Sequence, residues 1–143
     1  MLGTQASLFD VSNPAAPRRL DSFALGKGWS EAEQDHHALL WWPRRGLAVL
    51  PVQTYYDRPF VGALGLRVRR AGIAEVGRVT HPELSEAVPA GSPGAPIRRS
   101  VVVGDALYTV SAAGVRGSSL ASFDDLGFAR LPQSPGPAPV PSR

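Results

Sequence analysis

The side chains of this chain best suited to chemistry are an aspartate and three histidines: Asp35, His36 and His37 in a row, and His81 further along. Imidazole and carboxylate groups are good metal ligands and proton carriers near neutral pH. If the segment is extended, neighbouring side chains point to opposite faces, so Asp35 and His37 converge while His36 points away. His81 closes another β-prone run and is expected on the same rim as Asp35. Tyr55, Tyr56, Asp57 and Arg58 belong to a loop at that rim. Asp35, His37 and His81 are therefore the candidate ligand or metal residues. The plainer role is preferred, in which His and Asp tie a loop to a neighbouring strand through hydrogen bonds. No HExxH, nucleophile elbow or Gly-rich phosphate loop is present. The expectation is a chain that is not an enzyme and has no cofactor, with a metal as the lesser alternative.

A second candidate surface is basic. Lys27 is the only lysine, so positive charge is carried almost wholly by arginine. Arg44 and Arg45 lie in one turn, Arg69 and Arg70 in another, and Arg18 and Arg19 in the equivalent turn of an earlier hairpin. All six are expected on the rim opposite the histidines, where they could meet an acidic protein, a glycan or phosphate. A solvated edge is the preferred reading. With 15 basic and 12 acidic residues the formal charge is +3, too small to indicate nucleic acid, and no basic run is interleaved with aromatics.

The elements that must position these residues read as short strands. Ser7–Val11 and Arg18–Leu25 are β-prone runs separated by a turn that Pro14 and Pro17 frame, with Asp10 expected to cap Ser12-Asn13-Pro14. A polar connection follows, with a helical turn at Ser30–Gln34. His37–Trp42, Leu47–Val52, Val61–Arg69 and Ile73–Thr80 then make four strands in about 45 residues, the size of one β-propeller blade. After the Pro-rich connection Pro82–Pro96, the pattern restarts with Arg98–Val103, the Gly104-Asp105 turn, Ala106–Ser111, Val115–Leu120 and Phe128–Leu131.

The fold class is all-β: a partial propeller of about two and a half blades. Its parts are a half-blade over 5–26, a blade over 35–81 and a blade over 97–132. Residues 133–143 are a Pro-rich tail expected to be disordered. The alternative is a β-sandwich of the same strands. One of Trp41 and Trp42 is expected to be almost fully buried. The half-blade would lack two inner strands, so the chain is expected to be an incomplete fold that self-associates or exposes apolar side chains.

The composition narrows the class further. The chain has no cysteine, hence no disulfide or thiolate metal site. No apolar run approaches the ~20 residues that span a bilayer, and the N-terminus does not read as a secretory signal.

Several segments resemble, in order, the end of the bacterial secreted β-propeller domain family, distantly related to WD-repeat propellers. They are Ser7–Pro14, Ser30–Trp41, Leu47–Val52, Gly77–His81 and Arg98–Ser111, within about residues 5–132. The resemblance implies a propeller exported to the cell surface or beyond it, with no established reaction. His37 stands where a lysine is more usual. The function expected is a non-catalytic scaffold or interaction module, a C-terminal fragment of a larger cell-surface or secreted protein. Its partners would be another protein, further blades or a second copy. The rival reading is a metal-binding or enzymatic propeller.

Overall fold

The computed structural model describes residues 3–56, 59–84 and 93–132. The 133–143 tail, Asp57, Arg58 and the middle of the Pro82–Pro96 connection lie outside the described residues. The strands are β1 (Gln5–Asp10), β2 (Arg18–Ala24), β3 (Gly28–Trp29), β4 (Leu40–Trp42), β5 (Leu47–Thr54), β6 (Phe60–Arg69), β7 (Gly72–Val79), β8 (Ile97–Val103), β9 (Ala106–Ser111), β10 (Gly114–Ser119) and β11 (Asp125–Arg130). They form three antiparallel sheets: the hairpin β1–β2, a central sheet ordered β3-β5-β6-β7 with β4 also on β5, and a sheet ordered β11-β10-β9-β8.

Alternation along β5 explains how the sheets stack. Leu47 and Val49 pack with Ile97, Leu107, Leu120 and Phe123 of the last sheet. Ala48, Leu50 and Val52 share the opposite layer with Ala6, Phe23 and Leu25 of the hairpin region. Side chains on a strand alternate between faces, so the central sheet is buried on both. That is why β5 and β6 read as nearly continuous apolar runs, whereas β11 is mostly exposed. A two-sheet sandwich would have one apolar layer. This molecule has two, as stacked blades require, and the partial propeller describes it.

The inner edge of the central sheet differs from the expected strand His37–Trp42. Only Leu40–Trp42 pairs as a strand, while His36–Ala38 forms a 3-10 turn capped by Asp35, whose side chain accepts from the His37 amide. Side-chain capping of this kind offers the backbone an alternative to the ladder. Upstream, β3 pairs with the far end of β5, Gly28 opposite Thr54. The edge strand is thus split, and the chain between its halves is looped out. In the gap, Ser30 Oγ donates to the Pro51 carbonyl at 2.6 Å and accepts from the Ala32 amide at 3.3 Å. Ser30 caps the 3-10 turn Glu31–Glu33, the helical turn read at Ser30–Gln34. Pro51 has no N–H to offer, and it stands where no ladder partner asks for one.

The tryptophan expectation fails here. Trp41 is 49% exposed and Trp42 only partly buried. Trp42 lies opposite Leu47 and packs into the layer shared with the last sheet. Trp41 lies opposite Ala48, on the hairpin side, where two strands cannot cover a sheet four strands wide.

Candidate functional site

Asp35 sits between His37 and Arg99. Its Oδ1 accepts from the His37 amide at 2.9 Å and lies 3.2 Å from His37 Nδ1, while Oδ2 meets the Arg99 guanidinium at 2.5 Å. The His37 amide chiefly, with help from Arg99, holds this carboxyl below the usual carboxylate range, so it is ionised at neutral pH. The 3-10 turn, with three residues per turn, draws His36 in rather than sending it away. The His36 and His37 ring centroids are 3.9 Å apart, and one ligand atom from each of Asp35, His36 and His37 falls within 4.8 Å of the others. His81 is not part of this group. Asp35 and His37 do come together, and His36, expected to point away, joins them to make a cluster of three consecutive residues.

A cation at this cluster would have to take Asp35 from Arg99. We expect the wild-type chain to retain no stoichiometric zinc after dialysis, and Arg99→Ala to increase uptake. Elemental analysis showing one zinc per wild-type chain, lost in His37→Ala, would establish the metal reading instead.

His81 has a different task. It follows β7 and is 3% exposed, with Nδ1 2.7 Å from Ser111 Oγ and Nε2 2.8 Å from Thr109 Oγ1. Ser111 Oγ already accepts from the Ala113 amide at 3.1 Å. A neutral imidazole donates from one nitrogen and accepts at the other, and the two hydroxyls can satisfy both. Phe128 closes the side edge-on, its centroid 5.2 Å away. Burial, and secondarily the charge of Arg116, lower the His81 pKa from 6.5 to about 4. The ring is neutral and ties the connection after the central blade to β9 of the next.

The arginines divide into paired and unpaired. Arg70 and Arg18 both reach Asp10, at 2.9 and 3.8 Å. Asp10 also accepts from the Ser12 amide at 3.0 Å, the turn cap read from the sequence. Hydrogen bonds from Ser12, ahead of the two guanidinium charges, keep its carboxyl below the usual range. Arg45 lies 3.7 Å from Asp105. The Val68 amide donates to the Gly46 carbonyl at 2.7 Å, which sets the turn of Arg44 and Arg45 beside that of Arg69 and Arg70. Arg19, Arg44 and Arg69 make no ion pair among the described residues. β7 runs from this edge to His81 at its other end, so the two candidate surfaces are separated by the length of a strand.

Two sets of partners were missed in the sequence. Glu31 lies 3.5 Å from Arg98 and 3.8 Å from Arg99, so with Asp35 it pins both 3-10 turns to β8. Arg116 meets Asp125 at 2.6 Å and lies over the Phe128 ring, 5.3 Å from its centroid. Both sets join residues distant in sequence or across a sheet, which no local spacing announces.

The model of the family described as "Beta propeller domain" matches residues 1–123. No curated protein and no solved structure matches the chain.

Proposed function

Since the chain belongs to the β-propeller domain family, we propose that it is a non-catalytic scaffold and interaction module, part of a larger cell-surface or secreted protein. The resemblance to secreted bacterial propellers supports the location, and cell fractionation with an antibody to the natural gene product tests it. The absence of catalysis is supported by how the candidate groups are used. His81 is enclosed by hydroxyls, and Asp35 is held by an amide and a guanidinium. The exposed Asp35-His36-His37 cluster is the observation that favours a metal-binding alternative, and the zinc measurement above decides it.

The observation that carries the interaction reading is the outward face of the last sheet. Val101 lies opposite Tyr108, and Val101, Val103, Tyr108 and Leu126 are all exposed there. Contiguous apolar surface of this kind marks a contact face. We expect the chain to associate as its concentration rises in light scattering. Val101→Lys combined with Tyr108→Lys should keep it monomeric at a modest cost in thermal stability, because the two lysines stand opposite each other across β8 and β9. Undiminished association in that variant would show that this face makes no contact.

A further inference from the structure

Arg67 and Arg69 stand on one face of β6, because side chains two apart on a strand share a side. In the register of β6 with β7 they lie opposite Ala74 and Gly72, residues too small to cover them. Both arginines line a pocket of about 350 Å³ at the outer edge of the central sheet, with Asp21, Gly72, Ile73 and Ala74 among its other walls.

Among the described residues neither arginine makes an ion pair. Arg69 is exposed, whereas Arg67 is partly buried. The Arg67 Nε is buried without a hydrogen-bond partner. A buried donor left unmatched is costly, and more so on a cation. Arg116 also has a buried, unpartnered Nε, yet Asp125 at 2.6 Å balances its charge. Nothing comparable balances Arg67. Asp21 is the carboxylate among the pocket walls, and its oxygens are already engaged. Oδ1 accepts from the Ser22 amide and Oδ2 from the Ile73 amide, each at 2.8 Å.

We propose that this pocket binds a phosphate group, two of whose oxygens accept from the Nε–H and one Nη–H of Arg67 while Arg69 meets a third. A guanidinium presents those two donors side by side, a fork that matches two oxygens on one centre. The second arginine suits a phosphate, which carries a charge of about −1.5 to −2 at neutral pH and three acceptor oxygens. Arg44, without an ion pair in the neighbouring turn, adds to the positive field at this rim. Gly72 and Ala74 leave room beside the arginines for an organic substituent, so the ligand is free phosphate or a phosphate monoester. The site is separate from the apolar face of the last sheet, and either can fail alone.

The test titrates the full chain, at constant ionic strength, with inorganic phosphate, phenyl phosphate and acetate. Calorimetry reads the affinity, and the arginine Nε–H signals in nuclear magnetic resonance read the place. Saturable phosphate binding is expected, with a shift of the Nε–H signal that Arg67→Lys removes. Arg67→Lys keeps the charge but loses the fork, and should weaken binding about tenfold. Arg69→Ala, at an exposed position, should weaken it less. Ala74→Glu, also exposed, places a carboxylate directly opposite Arg67 and should abolish binding while leaving the fold intact. Tighter binding of phenyl phosphate supports the site and identifies a monoester as its ligand. Equal binding supports the site and identifies the free ion. Absence of phosphate binding, an unmoved Arg67 signal, acetate binding as tight as phosphate, or unchanged affinity in Ala74→Glu overturns it.

Discussion

Phe123→Ala is expected to destabilise the fold by about 3–5 kcal/mol, the cost of emptying a buried aromatic site. Phe123 is 7% exposed although its backbone has φ 64°, a left-handed conformation unusual for a bulky residue. Its ring lies on Gly65 of β6 and its Cβ beside Gly77 of β7, where added methyl groups would stand 2.2 and 3.0 Å from Phe123 atoms. The two glycines make a slot in the central blade, and the last blade inserts one ring into it. Phe123→Gly should lose the same burial but relieve the backbone, and so be more stable than Phe123→Ala by about 1 kcal/mol. Gly65→Ala should be strongly destabilising alone and nearly harmless in the Phe123→Ala background, because the methyl group then fills vacated space. Urea unfolding of the four variants checks all of this. Equal costs for Gly65→Ala in both backgrounds would show that ring and glycine do not share one slot.

The second large effect is acid sensitivity centred on His81. Its folded pKa is depressed to about 4 from 6.5, so protonation favours the unfolded chain. The contribution is fully present above pH 6.5, declines as pH falls toward 4, and is absent below that. The shift corresponds to about 3 kcal/mol. Arg116 adds to burial in the same direction, so Arg116→Ala should make the decline smaller, though it also frees Asp125. His81→Leu should be less stable at pH 7, because Ser111 and Thr109 lose a partner. Its stability should also be flatter between pH 6.5 and 4. A wild-type curve no steeper than that of His81→Leu over this interval would mean that the ring is not held neutral.

The strand pattern was legible because each strand's apolar positions follow from which faces it buries. Ala106–Ser111 has the bounds read from the hairpin signal around Gly104-Asp105, and the hairpin, central and final sheets follow the order of the strand-like runs. The inner edge was not legible. HALLWW has the composition of a strand, yet the Asp35 carboxylate captures the His37 amide and turns the backbone. A two-residue strand at Gly28–Trp29 carries too few side chains to show any period.

For the candidate site, the sequence determined the residue types and the ends of the blade at which they fall. Asp10 capping its own turn was decided locally, since its partner amide is two residues away. The three-dimensional packing decided the rest. Whether His81 is a ligand or a tether depends on Thr109 and Ser111 of β9, which reach it only when the last sheet packs against the central one. Whether Asp35 is free depends on Arg99, 64 residues along the chain. Trp41 and Trp42 are the same residue in adjacent positions, and only the strand count over each face separates their burial. Periodicity reports which side a residue faces. What waits on that side is set by neighbours distant in sequence, and it decides whether a histidine is charged, a carboxylate is available or an aromatic ring is covered.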